Sequence, residues 1–439
     1  LLATNQYTRP IPPLIECLHV GYHGSEIRTP NIDALAHEGV RLHRYYAFPL
    51  CSPTRAAFLT GRSPIRLGVD TPIGPRGALP LSEHLLSETL GAAGYQTFLV
   101  GKWHLGIDRI AAHPYRRGFD QSYGHLGASI DYFTHVWINS LDWHRNGVAL
   151  QEEGYSTDLI AAEAVRLIEG RDPSRPFFLY LSFNAPHAPL QAPEEQIRRH
   201  PGIRSPQRQV YAAMVSAMDD GIGRVLAALS DEGIERDTLL VWASDNGGGR
   251  NQGASNRPLR GAKGSAFEGG IRVPAVVHWP GVLNGGERFE QIFTAMDWFP
   301  TLTTALGVRP ENPRPLDGLD LWGALREART TVERRSTVIG VDGSYAVFQG
   351  PWKLVQFTPR GARDTQTLLF RILEDPEESQ DLAQAHPEIV DELLAELRAV
   401  PRGPSVSSRR PPGPRRGRSA GNEPAPALLA PWVERAAKD

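Results

Sequence analysis

Cys51 stands in a setting that could turn its thiol into a nucleophile. It opens the string CSPTR, in which a turn-forming proline lies two positions on and Arg55 four positions on. At the start of a helix, the helix dipole and a nearby guanidinium both stabilise a thiolate. The spacing therefore predicts a thiol nucleophile, and the alternative is a small cysteine buried for packing alone.

Two other segments carry candidate site residues. Asp245 and Asn246, in SDNGG, are adjacent hard oxygen donors of the kind that Ca²⁺ and Mg²⁺ prefer. The same DNGG string is also a common turn. His187, in NAPHAP, is a third candidate, and the alternative is a loop histidine that packs against or caps its own segment.

Lysine is rare in this chain, which otherwise uses arginine as its cation. The only lysines are Lys102, Lys263, Lys353 and Lys438. Arginine is the better planar clamp, whereas lysine is a compact ammonium suited to a single oxygen and to proton donation. Lys102 in GKWHLG, a string that also contains His104, and Lys263 in RGAKGS are therefore candidate point donors.

The elements around these residues are typical of an α/β fold. Between 85 and 272, short apolar runs alternate with longer amphipathic stretches, which predicts a parallel sheet covered by helices. The periodicity predicts strands at 97–100, 176–183 and 238–244 and helices at 156–168 and 210–229. The three strands run into GKWHLG, NAPHAP and SDNGG. Ligands of open α/β sheets bind at the carboxyl ends of the strands, so these segments are expected to meet.

Length and composition bound the other possibilities. A chain of 439 residues exceeds the usual size of one core and predicts two domains. The formal net charge of -2 argues against a nucleic-acid or membrane-surface partner held by a general field. Two cysteines, Cys17 and Cys51, exclude a disulfide framework, and no apolar run reaches the length of a membrane span. No signal peptide is recognisable, which leaves the compartment open.

The C-terminal part of the chain divides in two. Residues 340–357 and 367–373 predict short strands, and 388–400 predicts an amphipathic helix. From 401 the chain is rich in Pro, Arg, Ser and Gly without an apolar period, which is typical of a disordered tail. The predicted organisation is an atypical segment at 1–20, a catalytic domain at 21–325, a C-terminal subdomain at 326–400 and a tail at 401–439.

The twelve residues from Cys51 to Arg62, CSPTRAAFLTGR, resemble the signature of the sulfatase family. Further segments resemble the family in the family's order, at 21–42, 94–106, 118–127, 244–248 and 256–274. The detail is closest to the arylsulfatase B type, the N-acetylgalactosamine-4-sulfatase branch. The resemblance implies an α/β, alkaline-phosphatase-like sandwich, in which a large mixed, mostly parallel sheet lies between helices, plus a small C-terminal antiparallel-sheet subdomain.

The resemblance also implies roles for single residues. Cys51 would be oxidised by the formylglycine-generating enzyme, and a hydroxyl of the formylglycine hydrate would attack the sulfur of an aryl or carbohydrate sulfate. Arg55 would hold the hydrate. Lys102 and His104 would bind a sulfate oxygen and polarise the second hydroxyl. Substrate binding and protonation of the leaving oxygen would fall to His187 and Lys263.

A divalent cation, calcium or else magnesium, would be bound by Cys51, Asp245 and Asn246. Sulfatases normally open with an apolar strand that ends in two adjacent aspartates, which complete this metal site. Here the first twenty residues, LLATNQYTRPIPPLIECLHV, contain three prolines and a single acid, Glu16. We interpret this as a mistaken start or frameshift upstream of about Val20, with a degenerate sulfatase as the alternative. The polypeptide as written is expected to bind metal weakly and to turn over slowly.

Three functions follow from these motifs. The first is a sulfuric ester hydrolase that acts on a small sulfate ester or a sulfated sugar. The second is a phosphonate or phosphate monoester hydrolase of the same superfamily, because CSPTR can serve either transition state. The third is a non-catalytic protein that keeps the fold and binds sulfated glycans.

Overall fold

The computed structural model describes residues 20–250, 252–311, 314–327, 332–334 and 336–406. Within these ranges the α-helices are α1 (Pro30–Glu38), α2 (Cys51–Thr60), α3 (Leu86–Ala92), α4 (Ser156–Glu169), α5 (Glu194–Arg198), α6 (Pro206–Asp231), α7 (Glu268–Ile271), α8 (Trp298–Ala305), α9 (Trp322–Glu327) and α10 (Pro387–Ala399). The β-strands are β1 (Val40–Tyr46), β2 (Gln96–Lys102), β3 (Gln121–His125), β4 (Val136–Trp137), β5 (Ser140–Leu141), β6 (His144–Arg145), β7 (Val148–Ala149), β8 (Phe177–Ser182), β9 (Leu240–Ala243), β10 (Ala275–His278), β11 (Arg288–Thr294), β12 (Thr337–Val341), β13 (Ser344–Gln349), β14 (Trp352–Phe357) and β15 (Gln366–Arg371).

Strands between 40 and 294 form two mixed sheets. The first has the order β11-β1-β10-β9, in which β1 is parallel to β11 and antiparallel to β10. The second has the order β7-β6-β3-β2-β8, in which β2 is parallel to both of its neighbours. A short hairpin of β4 and β5 stands apart from both sheets. Strands β2, β3 and β8 therefore end on one side, as the sequence predicts for β2 and β8, whereas β9, the third predicted strand, lies in the first sheet and is antiparallel to β10.

Helices cover both faces of β2. Phe98 and Val100 pack in one core cluster with Ile160 of α4, whereas Leu99 packs in another with Leu90 of α3. Successive side chains of a strand point to opposite faces, so this alternation buries the strand on both sides. All seven residues of β2 are buried, which explains the uninterrupted apolar run at its centre, Phe98 to Val100.

The predicted elements of this region lie where the periodicity indicated. The predicted strands fall within or overlap β2, β8 and β9, and the two predicted helices correspond to α4 and α6. Helix α6 begins at Pro206, four residues before the apolar period, because Ser205 caps it by accepting a hydrogen bond from the Arg208 N–H. The capping serine and the proline at the first helical position supply a start that hydrophobic spacing alone misses.

Gly101 lets β2 and β8 approach each other beside the last residue of β2. Its φ is +106°, and a Cβ at this position would lie 2.0 Å from the carbonyl oxygen of Ser182. Only glycine tolerates both the conformation and the contact. The glycine in GKWHLG thus positions Lys102 and the segment that follows it.

A four-stranded antiparallel sheet, β12-β13-β14-β15, forms the C-terminal part, with α10 packed on β13 and β14. A buried ion cluster joins it to α7. The Lys353 ammonium lies 2.8 Å from a Glu268 oxygen and 2.7 Å from a Glu378 oxygen, and all three side chains are fully buried. Lys353 is therefore a structural cation, unlike Lys102 and Lys263 in the predicted site.

Residues 401–406, which the composition assigned to the tail, pack against the chain that follows α2. The Gly403 N–H donates to Ile65 O at 3.0 Å, and the Val406 N–H donates to Gly68 O at 2.9 Å. The rest of the predicted tail, 407–439, and the first 19 residues of the predicted N-terminal segment lie outside the described residues. Across the part of the chain that the structure describes, no helix combines the length and the apolar character of a membrane span.

Candidate active site

Cys51 is the first residue of α2 and is almost completely buried. Leu50 before it is extended, so the chain turns into the helix at the thiol itself. The Cys51 Sγ lies 3.2 Å from Nδ1 of His104, which belongs to the segment that follows β2. A helix N-terminus therefore lies at the sulfur, as the CSPTR pattern predicts, and the imidazole of His104 is an additional neighbour that this pattern did not indicate.

The contacts of His104 define its tautomer. Its Nε2 lies 3.2 Å from Ile73 O, and a carbonyl oxygen only accepts, so the proton is on Nε2. Burial, together with the positive charges of Lys102 and Arg55, holds the pKa of His104 well below its usual range. The imidazole is therefore neutral, and its Nδ1 presents a lone pair to position 51.

Arg55 joins the ends of the strands on either side of the site. Its guanidinium donates to Lys102 O at 2.7 Å, to the Ser182 hydroxyl at 2.5 Å and to a carboxylate oxygen of Asp245 at 3.3 Å. These partners follow or end β2, β8 and β9, so one side chain fixes three segments. The sequence analysis missed Ser182, although its place as a polar residue at the end of an apolar run was a usable signal.

Asp245 is an ionised carboxylate among cations. Burial would raise its pKa, but Arg55, Lys102 and Lys263 outweigh burial and lower the pKa to about 2. The Thr54 hydroxyl lies 2.6 Å from the backbone oxygen of Asp245, which ties α2 to the end of β9. Thr54, the fourth residue of CSPTR, thus has a positioning contact that the sequence alone did not reveal.

Lys102 is buried at the end of β2. Burial lowers its pKa to about 8, with the charges of Arg55 and Lys263 acting in the same direction. Lys263 lies on a loop that is hydrogen-bonded to two other segments of the site. The Lys263 N–H donates to Gly248 O at 3.1 Å, and the next N–H, of Gly264, donates to Pro49 O at 2.8 Å. Because the charge of Lys263 acts on the pKa of Lys102, the two ammonium groups lie near each other.

His187 lies on the loop after β8. Its Nδ1 is 2.7 Å from Ala188 O, so Nδ1 carries the proton and Nε2 is the free acceptor. Burial, with Lys102 and Lys263 nearby, lowers the pKa of His187 to about 3. His187 is consequently neutral in this structure.

The site suits a tetrahedral anion with an ester bond. Three cationic side chains, Arg55, Lys102 and Lys263, surround a single ionised carboxylate, and a neutral imidazole faces the nucleophile position. Fixed cations stabilise the charge that develops on equatorial oxygens in such a displacement. Contacts or electrostatic proximity bring together Cys51, Arg55, Lys102, His104, His187, Asp245 and Lys263, and Asn246 follows Asp245 in sequence.

The donors for a divalent cation are incomplete among the described residues. Asn246 Oδ1 is buried without a hydrogen-bond partner there, and the Asp245 carboxylate lies next to it in sequence. Calcium takes six to eight oxygen ligands. No group of three or more His, Cys, Asp or Glu side chains within the described ranges could hold a metal ion. These donors match calcium in type but not in number.

The architecture and this anion site are those of an ester hydrolase with an alkaline-phosphatase-like fold. The structure is similar to the crystal structure of Ps i-CgsB in complex with k-i-k-neocarrahexaose, with a TM-score of 0.82, 32% identity and coverage of 90% of this chain and 92% of the other. The predicted fold class is confirmed.

The sulfatase family model matches residues 11–308. Arylsulfatase J of Mus musculus is 36% identical over 434 residues, which cover 86% of this chain and 72% of the relative. N-acetylgalactosamine-6-sulfatase of the same organism is 37% identical over 368 residues, which cover 76% and 69%. The chain belongs to the sulfatase family and is a sulfuric ester hydrolase, as the motifs predicted.

Proposed function

We propose that this sulfatase cleaves a carbohydrate sulfate ester with a formylglycine nucleophile made from Cys51. The contact between the Cys51 Sγ and the unprotonated Nδ1 of His104 carries the proposal. A free thiolate would be left as a stable S-sulfated cysteine, whereas an aldehyde hydrate has a second hydroxyl through which sulfate can be expelled. A neutral acceptor beside position 51 is what that second step requires.

In the proposed reaction, one hydroxyl of the hydrate loses its proton to solvent and attacks sulfur, and the bond from sulfur to the ester oxygen breaks. Lys263 gives a proton to the departing alkoxide, with His187 beside it, and is reprotonated from solvent. The second hydroxyl then loses its proton to Nδ1 of His104, sulfate leaves as the C–O bond breaks, and the aldehyde is regenerated. Addition of water to the aldehyde restores the hydrate. Arg55 orients the segments around position 51, and Lys102 binds a sulfate oxygen.

The names of the relatives favour a sugar as the substrate. One acts on N-acetylgalactosamine sulfate by its name, and a similar structure holds a neocarrahexaose. Both sugars are galactose derivatives, so a sulfated galactose or galactosamine unit is the proposed substrate. The similarity to arylsulfatase J supports a broader substrate range, in which small aryl sulfates are also cleaved.

Turnover of 4-nitrophenyl sulfate, 4-nitrophenyl phosphate and N-acetylgalactosamine 6-sulfate by one purified sample tests the proposal. The expected order places both sulfates well above the phosphate. A faster phosphate reaction would favour the phosphonate or phosphate monoester hydrolase. Mass spectrometry of the Cys51 peptide, with an expected loss of about 18 mass units on conversion of the thiol to the aldehyde, accompanies the assay. Glycan binding without turnover in converted protein would favour the non-catalytic alternative.

Calcium binding is expected to be weak in this polypeptide and to increase when the missing carboxylates are supplied. The double variant Leu18→Asp/His19→Asp places two aspartates directly before Val20, which is buried in one cluster with Trp242 of β9. Affinity for Ca²⁺, measured by calorimetry, is expected to rise at least about tenfold because added carboxylates strengthen oxygen sites. The matched control Leu18→Asn/His19→Asn adds similar bulk without charge. Equal affinities in both variants would contradict an altered N-terminal segment as the cause of weak binding.

Activity is expected to decline as the pH rises above about 8. Burial lowers the pKa of Lys102 to about 8, so its positive charge is present below that pH and lost above it. If the charged form binds sulfate, kcat/KM falls up to about tenfold per pH unit on the alkaline side. Lys102→Arg keeps the charge at all these values, so its profile for 4-nitrophenyl sulfate should lack this limb. An unchanged limb in Lys102→Arg would assign the titration to another group.

A further inference from the structure

The segment 126–142 starts at the candidate active site and returns to it. The His104 N–H donates to Leu126 O at 3.1 Å, beside the imidazole that faces Cys51. The carboxylate of Asp142 closes the segment by accepting the N–H groups of Leu126 at 3.0 Å and Gly127 at 2.7 Å. Both ends of the segment are therefore fixed close to His104 in space.

The middle of the segment lies on the loop that carries His187. The Tyr132 hydroxyl is 2.8 Å from His187 O and 2.9 Å from Asn184 O. Its N–H donates to the Gln191 side chain at 2.9 Å, and that amide donates to Asp131 at 2.6 Å. Residues 131–133 are thus held next to His187, at the edge of the anion site.

Between these anchors, three large apolar side chains face outward. Phe133, Val136 and Ile138 are 44%, 36% and 64% exposed, and we call them the hairpin wall because the last two belong to the β4–β5 hairpin. They are three of the nine exposed large hydrophobic residues in the described part of the chain. Their clustering within six residues contrasts with the single, scattered exposure that is normal for surface hydrophobic residues.

The backbone conformation at the tip of the hairpin is energetically unfavourable. Ile138 has φ +48°, and Asn139 after it has φ +65°. The left-handed region is unfavourable for a β-branched residue, and glycine, asparagine or aspartate is the usual choice at such a turn. An isoleucine kept there and exposed to solvent is consistent with a side chain retained for contact with a ligand.

The charge of the segment indicates the kind of ligand. Residues 126–142 contain no lysine or arginine, and their only charged residues are Asp131 and Asp142. A second sulfate or a uronate would therefore meet no lysine or arginine of this segment. The apolar C–H face of an uncharged sugar ring, by contrast, stacks on exposed aromatic and aliphatic groups, and its hydroxyls can donate to a carboxylate such as Asp131.

We propose that the hairpin wall binds the uncharged sugar next to the sulfated one, so that the enzyme selects a sulfated oligosaccharide over its monosaccharide. This subsite rests on the proposed function, because it extends the carbohydrate substrate beyond the sulfated ring. The Phe133 ring provides the stacking surface and is itself supported by Tyr155, whose ring centroid lies 5.3 Å away.

Dissociation constants for two probes test the subsite without requiring turnover. One probe is a κ-neocarrageenan tetrasaccharide, in which sulfated galactose alternates with an unsulfated anhydro sugar, and the other is galactose 4-sulfate. The native chain is expected to bind the tetrasaccharide roughly tenfold more tightly, as one stacked ring predicts. In Phe133→Ala/Ile138→Ser the ratio of the two constants should fall to near one. Leu373→Ser, at an apolar position in the C-terminal part whose exposure of 57% lies between those of Phe133 and Ile138, should keep the native ratio.

Three results would overturn the subsite. They are equal affinity for both probes in the native chain, an unchanged ratio in Phe133→Ala/Ile138→Ser, and a preference for a chondroitin 6-sulfate tetrasaccharide, whose flanking sugars are anionic. A loss of affinity in the variant for oestrone sulfate alone would assign the wall to an apolar alcohol instead. Failure of the native chain to bind either galactose sulfate probe would contradict the carbohydrate function itself.

Discussion

Cys51→Ala is expected to lower kcat for 4-nitrophenyl sulfate by at least about 10⁴-fold, the scale of loss seen when a covalent nucleophile is removed. The sulfur lies at the N-terminus of α2 and 3.2 Å from Nδ1 of His104, and alanine leaves nothing there to attack sulfur or to be deprotonated. Steady-state kinetics give the ratio, and circular dichroism and thermal unfolding check that the variant folds. The substitution removes one atom of a nearly buried side chain, so its structural cost should be small.

Two further variants test whether the loss of activity is specific to Cys51 and to its aldehyde. Cys17→Ser changes the only other cysteine and should retain native turnover. Cys51→Ser supplies a hydroxyl without an aldehyde, so one round of sulfate transfer without release is expected, visible as a gain of mass on the Cys51 peptide. Full turnover by Cys51→Ser would contradict the need for a second hydroxyl on residue 51.

Local patterns were sufficient to predict most of the fold around the site. The apolar runs of β2, β8 and β9 are long, and the polar strings that follow them carry the site residues. Topology was less accessible, because β1 pairs antiparallel with β10 and parallel with β11, both of which lie far along the chain from it. Register between such strands depends on side chains that meet only after folding, which periodicity along one segment does not encode.

The residues of the site could be identified from the sequence, but their protonation states and their contacts could not. CSPTR and GKWHLG indicated Cys51, Arg55, Lys102 and His104, yet the neutral tautomer of His104 depends on Ile73, 31 positions away. Arg55 was expected to stabilise a thiolate, whereas its donors go to the ends of three strands. Ser182 escaped notice for the same reason, since only the packed sheet shows which cation it faces.

Lys263→Ala is expected to reduce activity most for substrates whose departing oxygen is most basic. With N-acetylgalactosamine 6-sulfate, whose alkoxide must be protonated as it departs, kcat/KM should fall about 10²–10⁴-fold, the usual contribution of general acid catalysis. With 4-nitrophenyl sulfate, whose phenolate leaves unaided, the fall should be far smaller and should reflect only the lost charge near Lys102 and Asp245. A series of aryl sulfates of graded phenol pKa measures this dependence as a slope.

His187→Ala is the matched variant, because His187 lies in the same region but is neutral. Its pKa is lowered to about 3, and its Nδ1–H is engaged by Ala188 O, so it offers no proton to the leaving oxygen. Loss of His187 should therefore raise KM. It should increase the dependence of the rate on the phenol pKa less than Lys263→Ala does. If the steeper slope appeared in His187→Ala, the bound sulfate would have to raise the pKa of that imidazole enough to make it the acid. Equal losses with good and poor leaving groups in Lys263→Ala would reduce Lys263 to a substrate-binding charge, since an acid must help most where the departing oxygen is most basic.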